Sequence, residues 1–250
     1  MMIWLMGGTS DSRQIAQLLD TAGIPWVATV TRPSATRLYA QLSGSVVVGS
    51  LTPEAGLLFI QQWGIGAVVD ASHPFAVAAS QMAMACAAQA GIPYLRFERP
   101  EVIEREEPGV EWIPTVEQLL QPHYLTSQRI LSTLGLKLLP HLIPWLHSSQ
   151  IWARVLPESA ALALKMGFPA EYLLLERLPV DPDRERQLWL DLKLDCVLTK
   201  ASGAAGGIPL KLALAKELGI RLLVLERPRL EYPLVTTALE QVLPFCQNLS

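Results

Sequence analysis

Two short stretches hold most of the side chains able to do chemistry, and each follows an apolar run. Asp70-Ala71-Ser72-His73-Pro74 follows Ala67-Val68-Val69, and Thr199-Lys200-Ala201-Ser202-Gly203 follows Cys196-Val197-Leu198. Three polar side chains in four residues, next to a strand that excludes water, are costly unless they line a site. Asp70 can accept from a ligand hydroxyl or amide, and His73 can donate to an anion or shuttle a proton. The bland alternative is that Asp70 and Ser72 only cap a helix opened by Pro74. Lys200 sits among small residues that would let a bulky ligand come close. It can pair with carboxylates, or give up a proton if burial depresses its pKa. This is not a phosphate-binding P-loop, which places its lysine after the glycines, and the bland alternative is a mobile glycine loop with a solvated lysine. Asp70, His73 and Lys200 are therefore the catalytic candidates, with Ser202 and Gly203 on the substrate side. Arg154 joins them there, as a charge inside an apolar run that must be paired, contact an anion or snorkel to an edge.

A third stretch, Gly7-Gly8-Thr9-Ser10-Asp11-Ser12-Arg13, joins the first apolar run to the first helical pattern. Glycines there let backbone N–H groups approach a phosphate, which a helix N-terminus then favours electrostatically. The third glycine of a G-x-G-x-x-G pattern is missing, and a plain strand-to-helix turn with a capping hydroxyl would look similar. Position favours the functional reading, since the first strand-to-helix turn is where such folds hold dinucleotides. Gly7, Gly8, Thr9, Ser10, Asp11 and Arg13, with Ser72, are the cofactor-binding candidates. The second strand ends Val30-Thr31-Arg32. A binder of NAD usually places an acid there, whereas arginine suits a 2′-phosphate. A solvated loop with two surface arginines would look the same, but taken with the glycine turn, Arg32, assisted by Arg37, tilts the choice to NADPH.

Strands and helices alternate at short spacing through the first hundred residues. Expected strands at Ile3–Met6, Pro25–Val30, Val46–Val48, Ala67–Val69 and Pro93–Phe97 alternate with helices that stop at Gly23, Gly64 and after Ala90. Such alternation builds right-handed βαβ units and a parallel sheet. The acidic, Pro- and Gly-bearing stretch from Glu101 breaks the rhythm and reads as the exit from a first domain. In the second, strand candidates lie at Arg129–Leu139, Ile151–Leu156, Tyr172–Leu175, Cys196–Leu198 and Leu222–Leu225. Helices are expected at Glu158–Met166, Pro182–Asp191, Leu210–Leu218 and near Ala238–Gln247. An echo links the halves: Gly91-Ile92-Pro93-Tyr94-Leu95-Arg96-Phe97-Glu98-Arg99-Pro100 matches Gly219-Ile220-Arg221-Leu222-Leu223-Val224-Leu225-Glu226-Arg227-Pro228. Each copy follows a strand, an Ala-Ser turn and an alanine-rich helix, which places Asp70 and Lys200 at comparable strand ends. Domains at 1–100 and 101–250 follow, with a site expected in a cleft between them.

Composition narrows the classes. The chain has 250 residues, half of them hydrophobic, and a net charge of -3. Nucleic-acid binding would need a basic face. No unbroken apolar run approaches the ~18 residues of a membrane span, and the opening Met-Met-Ile-Trp-Leu-Met lacks the basic lead of a signal peptide. Cys86, Cys196 and Cys246 are distant and odd in number, so buried thiols are expected rather than disulfides or a metal site. A soluble cytoplasmic α/β protein is the expectation.

Gly7 to Arg13, Asp70-Ala71-Ser72-His73-Pro74-Phe75-Ala76, Tyr94 to Pro100 and Thr199 to Gly203 together resemble the precorrin-6A reductases of corrin-ring biosynthesis. That family's first turn more often ends in Glu where Asp11 stands, and Thr is common where Ser72 stands. The resemblance implies two Rossmann-like parallel-sheet α/β domains and NADPH-dependent reduction of one macrocycle double bond. It also implies an anionic tetrapyrrole substrate, metal-free or cobalt-bearing. Hydride would pass from C4 of the nicotinamide to a ring carbon and a proton to its neighbour, with Lys200, Arg154 and His73 supplying local positive charge. Two other functions stand beside it: reduction of another small substrate by NADPH, sharing only the N-terminal fold, and nucleotide sensing without chemistry. A sensor would not need the second glycine-rich turn with its lysine, so the doubled unit favours an enzyme.

Overall fold

Ile3, Trp4 and Leu5 are wholly buried, and this run forms β1 (Met2–Met6) at the centre of a parallel sheet. The computed structural model describes residues 1–248. α1 (Ser10–Thr21) follows, capped by Thr9, whose side chain accepts from the Ser12 N–H in a reciprocal capping box. Next come β2 (Trp26–Val30), β3 (Ser45–Val48) and α2 (Pro53–Trp63). α2 opens on a Thr52 cap with Pro53 at its start and stops at Gly64 in the left-handed region. β4 (Ile65–Asp70), α3 (Val77–Ala90) and β5 (Tyr94–Phe97) complete this run.

The remaining strands are β6 (Val110–Ile113), β7 (Arg129–Ser132), β8 (Gln150–Val155), β9 (Leu173–Leu175), β10 (Cys196–Lys200), β11 (Arg221–Leu225) and β12 (Val235–Thr236). They form two six-stranded sheets, ordered β12-β5-β4-β1-β2-β3 and β6-β11-β10-β7-β8-β9. Every pairing is parallel. The orders are equivalent place for place: β7 stands where β1 stands and β10 where β4 stands. Only the first place, beside β5 and β11, is filled differently, by a strand late in the chain in the first sheet and by one early in its unit in the second. Both sheets thus reverse direction beside a central strand, between β1 and β4 and between β7 and β10, where doubly wound folds bind ligands.

The chain divides into one unit of Met1–Pro100 plus the segment from Pro228 onward, and another of Glu101–Arg227. The expected second domain, 101–250, therefore ends early. Val235 and Thr236 pair with Arg96 and Phe97, and Val242 and Cys246 are buried in the first unit's core. A two-residue strand carries too little pattern to be read in advance. β6 was likewise not expected, because it lies inside the Pro- and Gly-bearing stretch. The strand expected over Arg129–Leu139 stops at Ser132, where Gly135 adopts a positive φ. α3 starts at Val77 rather than at Pro74, with a turn in between.

Candidate active site

In the first unit the sequence candidates gather at the carboxyl ends of β1, β4 and β2. Gly8 has a φ of +93°, a conformation that suits glycine and lets the chain turn sharply into α1. A Cβ on Gly7 would lie 2.2 Å from the Tyr39 hydroxyl. That hydroxyl accepts from the Gly8 N–H at 2.9 Å and meets Ser12 Oγ at 2.6 Å. Tyr39 is buried, and burial pushes its phenol up, so it stays a neutral bracket behind the turn. Thr9 Oγ1 donates to the Ala71 carbonyl at 2.7 Å, tying the glycine turn to the turn after β4. Gly8 and Thr9 thus spend their polar groups on shape. Ser10 and Asp11, the first two helical residues, carry the N–H groups that an anion at the helix start would use. Ser10, Arg13, Arg32 and Arg37 are exposed. β2 ends at Val30, two residues before Arg32, which stands at the start of a 3-10 turn over Pro33–Tyr39, in which Arg37 Nε donates to the Ser34 carbonyl.

Asp70 departs from the catalytic expectation. Its carboxylate is wholly buried and accepts from the Ser72 N–H at 2.9 Å, Ser80 Oγ at 2.6 Å, Tyr94 Oη at 2.6 Å and Arg96 Nη1 at 3.0 Å. Those four donors fill the lone pairs of both oxygens, so Asp70 organises the turn and has nothing left for a ligand. Burial, and then the Asp70 charge, push the Tyr94 phenol up, which keeps it a donor. Arg96 also bonds Glu98 Oε2 at 2.9 Å and Ser72 Oγ at 3.2 Å, so Ser72 belongs to this network and not to a free cofactor contact. Its guanidinium lies 5.4 Å from the Tyr232 ring centre, a contact brought in by the returning C-terminal segment. Arg96 was missed in the sequence, although an arginine within the apolar run Tyr94–Phe97 gave the same signal as Arg154. His73 is half-buried at the mouth of this turn. Its Nδ1 accepts from the Phe75 N–H at 3.2 Å, which leaves the proton of the neutral ring on Nε2.

The second unit places Lys200, Ser202 and Gly203 at the end of β10, beside the end of β7. Burial, and next the positive charge of Lys137, push the Lys200 ammonium down to about 8. Ser202 Oγ is directed at the Lys200 carbonyl, 3.3 Å away. It occupies the space over Gly206, where a Cβ would sit 1.8 Å from it. Arg154 is not an open anion contact. It forms a two-pronged pair with Glu185, at 2.9 and 2.5 Å, and its Nε lies 3.4 Å from Glu176 without hydrogen-bond geometry. Glu185 also accepts from Trp189 Nε1 at 2.8 Å. Lys211 was not anticipated. It lies on the buried face of helix Ile208–Leu218, and its Nζ donates to the Gly206 carbonyl at 2.8 Å and to Thr199 Oγ1 at 3.2 Å. Burial, with Arg154 adding and Glu185 opposing, pushes it down to about 8. The signal for it was a lysine three positions from Ile208 and Leu214 on one helix face.

The geometry thus offers a helix start suited to a phosphate in one unit and a destabilised ammonium in the other. No helix is long and apolar enough to cross a membrane, and no His, Cys, Asp or Glu cluster suits a metal, among the described residues. Residues 2–247 match the family model described as precorrin-6x reductase CbiJ/CobK. A cobalt-precorrin-6A reductase of Synechocystis is 37% identical, covering 98% of this chain and 96% of that protein. One of Priestia megaterium is 32% identical, with 96% of each chain covered. A solved structure, CobK precorrin-6A reductase, superposes with a TM-score of 0.79 at 19% identity, covering all of this chain and 97% of that one.

Proposed function

We propose, on the premise that this chain belongs to the precorrin-6x reductase family, that it reduces one double bond of a precorrin-6A-type macrocycle with NADPH. The observation that carries the cofactor reading is the β1/β4 reversal, where the turn through Gly8 meets the start of α1 and Thr9 is tied to Ala71. The residues present fit a dinucleotide. Nothing lies closer than 3.9 Å to a Cβ at Gly8, the Ser10 and Asp11 amides begin the helix, and Arg32 stands where a 2′-phosphate would be read. NADPH, when bound, supplies the hydride delivered to one carbon of the double bond. The protein holds the rings in line and keeps water out. His73 is the first unit's group placed to donate from Nε2.

In the second unit Lys200 takes the substrate side. Its Nζ either holds a macrocycle carboxylate or gives a proton to the carbon beside the one reduced. A proton at Nζ that is lost near pH 8 suits both roles at neutral pH. Metal-free and cobalt-bearing macrocycles present the same carboxylates to such a residue. Fluorescence titration with NADPH and NADH tests the cofactor, and absorbance at the nicotinamide band with precorrin-6A or its cobalt form tests the reaction. NADPH should bind about tenfold or more tightly than NADH, and Arg32→Ala should erase the difference. Equal affinities in the parent protein would remove Arg32 from the reading.

A further inference from the structure

Arg99 lies just beyond β5, 88 positions from Asp11 in the chain, yet the two form an ion pair. Arg99 Nε donates to Asp11 Oδ2 at 2.7 Å and Nη2 lies 2.5 Å from the same oxygen. Both side chains are largely buried, at 9% and 18% exposed, so solvent screens this pair less than a surface one. Asp11 is the second residue of α1. A carboxylate there suits the positive end of the helix, but it competes with any anion seeking the same amides. The cofactor reading requires a diphosphate at that place, so an uncompensated Asp11 would oppose the ligand that the turn is shaped to receive. We propose that Arg99 is a positioning residue of the cofactor site: it holds and neutralises Asp11, keeping the start of α1 receptive to a diphosphate. This rests on the reading of the β1/β4 turn as the NADPH site.

The reason is electrostatic. With Arg99 in place the pair is neutral as seen from the helix start, and the Ser10 and Asp11 N–H groups face the phosphates with their full partial charge. Without Arg99, a negative charge remains within the first turn, at a distance where partial burial weakens screening. Removing Asp11 as well takes away the need for Arg99. A merely structural Arg99 would predict the opposite, because losing both partners would not restore binding.

The test is a double-mutant cycle on the full chain, read as the NADPH dissociation constant by fluorescence in low and high salt. Arg99→Met should weaken NADPH about tenfold at low salt, and the deficit should shrink as salt rises. Asp11→Asn should bind as tightly as the parent or tighter. The Arg99→Met/Asp11→Asn double variant should return to within about threefold of the parent. A double variant as weak as Arg99→Met, or a deficit indifferent to salt, would overturn the proposal. If Arg99→Met fails to fold, Asp11→Asn carries the test, and a tenfold loss there would overturn it too. A parent protein that does not bind NADPH at all overturns the cofactor reading itself. Normal parental binding with a flat cycle overturns only the role of Arg99.

Discussion

The two strand ends that the sequence echo pairs, after β4 and after β10, hold opposite charges in unlike surroundings. Asp70 is buried and saturated by four donors drawn from its own turn, from α3 and from β5. Lys200 is half-buried, and burial, with a second lysine, Lys137, near, lowers its hold on its proton. The orphaned buried atoms follow the same division. Among the described residues, the buried side-chain N and O atoms without a hydrogen bond are Trp112 Nε1, Ser132 Oγ and Arg154 Nε. All belong to the unit of Glu101–Arg227. Ser132 ends β7, beside the strand that ends in Lys200. The lesson is that a charged residue at a strand end takes its surroundings from the neighbours that packing brings to it, not from its place in the motif.

The sharpest way to break this contrast is Asp70→Ala. It would leave the buried Arg96 without its main counter-charge and Tyr94 and Ser80 without an acceptor, a loss of about 3–5 kcal/mol. Thermal unfolding should register a fall in Tm of ten degrees or more, on the order expected for a domain of this size. A variant as stable as the parent would return Asp70 to the list of free, functional groups.

Lys200→Met should behave in reverse. The folded protein below pH 8 bears the cost of a charge it holds poorly, a cost that fades as pH rises from about 8 toward the ordinary lysine value of 10.5. The substitution removes that cost, so Tm at pH 7 should hold or rise. kcat/KM for the macrocycle should drop tenfold or more while NADPH binding stays as in the parent. In the parent, kcat/KM should decline as pH rises through about 8, and the variant should lack that step. A variant with parental kinetics would make the second glycine-rich turn a packing feature only.

Tyr39→Phe gives the smallest effect. It removes the acceptor of the Gly8 N–H and the partner of Ser12 Oγ, for a loss of about 1–2 kcal/mol. NADPH affinity should fall a few-fold, because the glycine turn loses its bracket. Unchanged affinity with reduced Tm would confine Tyr39 to stability.

Much of the architecture was legible because local signals and tertiary packing agree. Thr9, Thr52, Pro53, Gly64 and Gly91 mark helix ends through backbone requirements that no distant residue can alter. Wholly apolar runs such as Ala67–Val69 declare strands covered on both faces. The turns of interest followed from the same punctuation, since strand ends next to glycine and hydroxyl residues are local events. The two parallel sheets, the family resemblance and the place of the glycine turn could therefore be read from the chain alone.

What the sequence could not settle was which charges find partners. Arg154 met Glu185, Asp70 met Arg96 and Asp11 met Arg99, and each meeting turned a candidate ligand contact into an internal pair. Lys211 and Tyr39 became buried supports of the two glycine turns, and β12 came back from the far end of the chain to finish the first sheet. Pairings across 26, 31 and 88 positions depend on how elements pack, and a buried charge takes whichever counter-charge that packing brings near. The sequence by itself determined where polar chemistry sits at strand ends. The tertiary structure decided which of those charges are held in internal pairs, because desolvation penalises every unpaired charge.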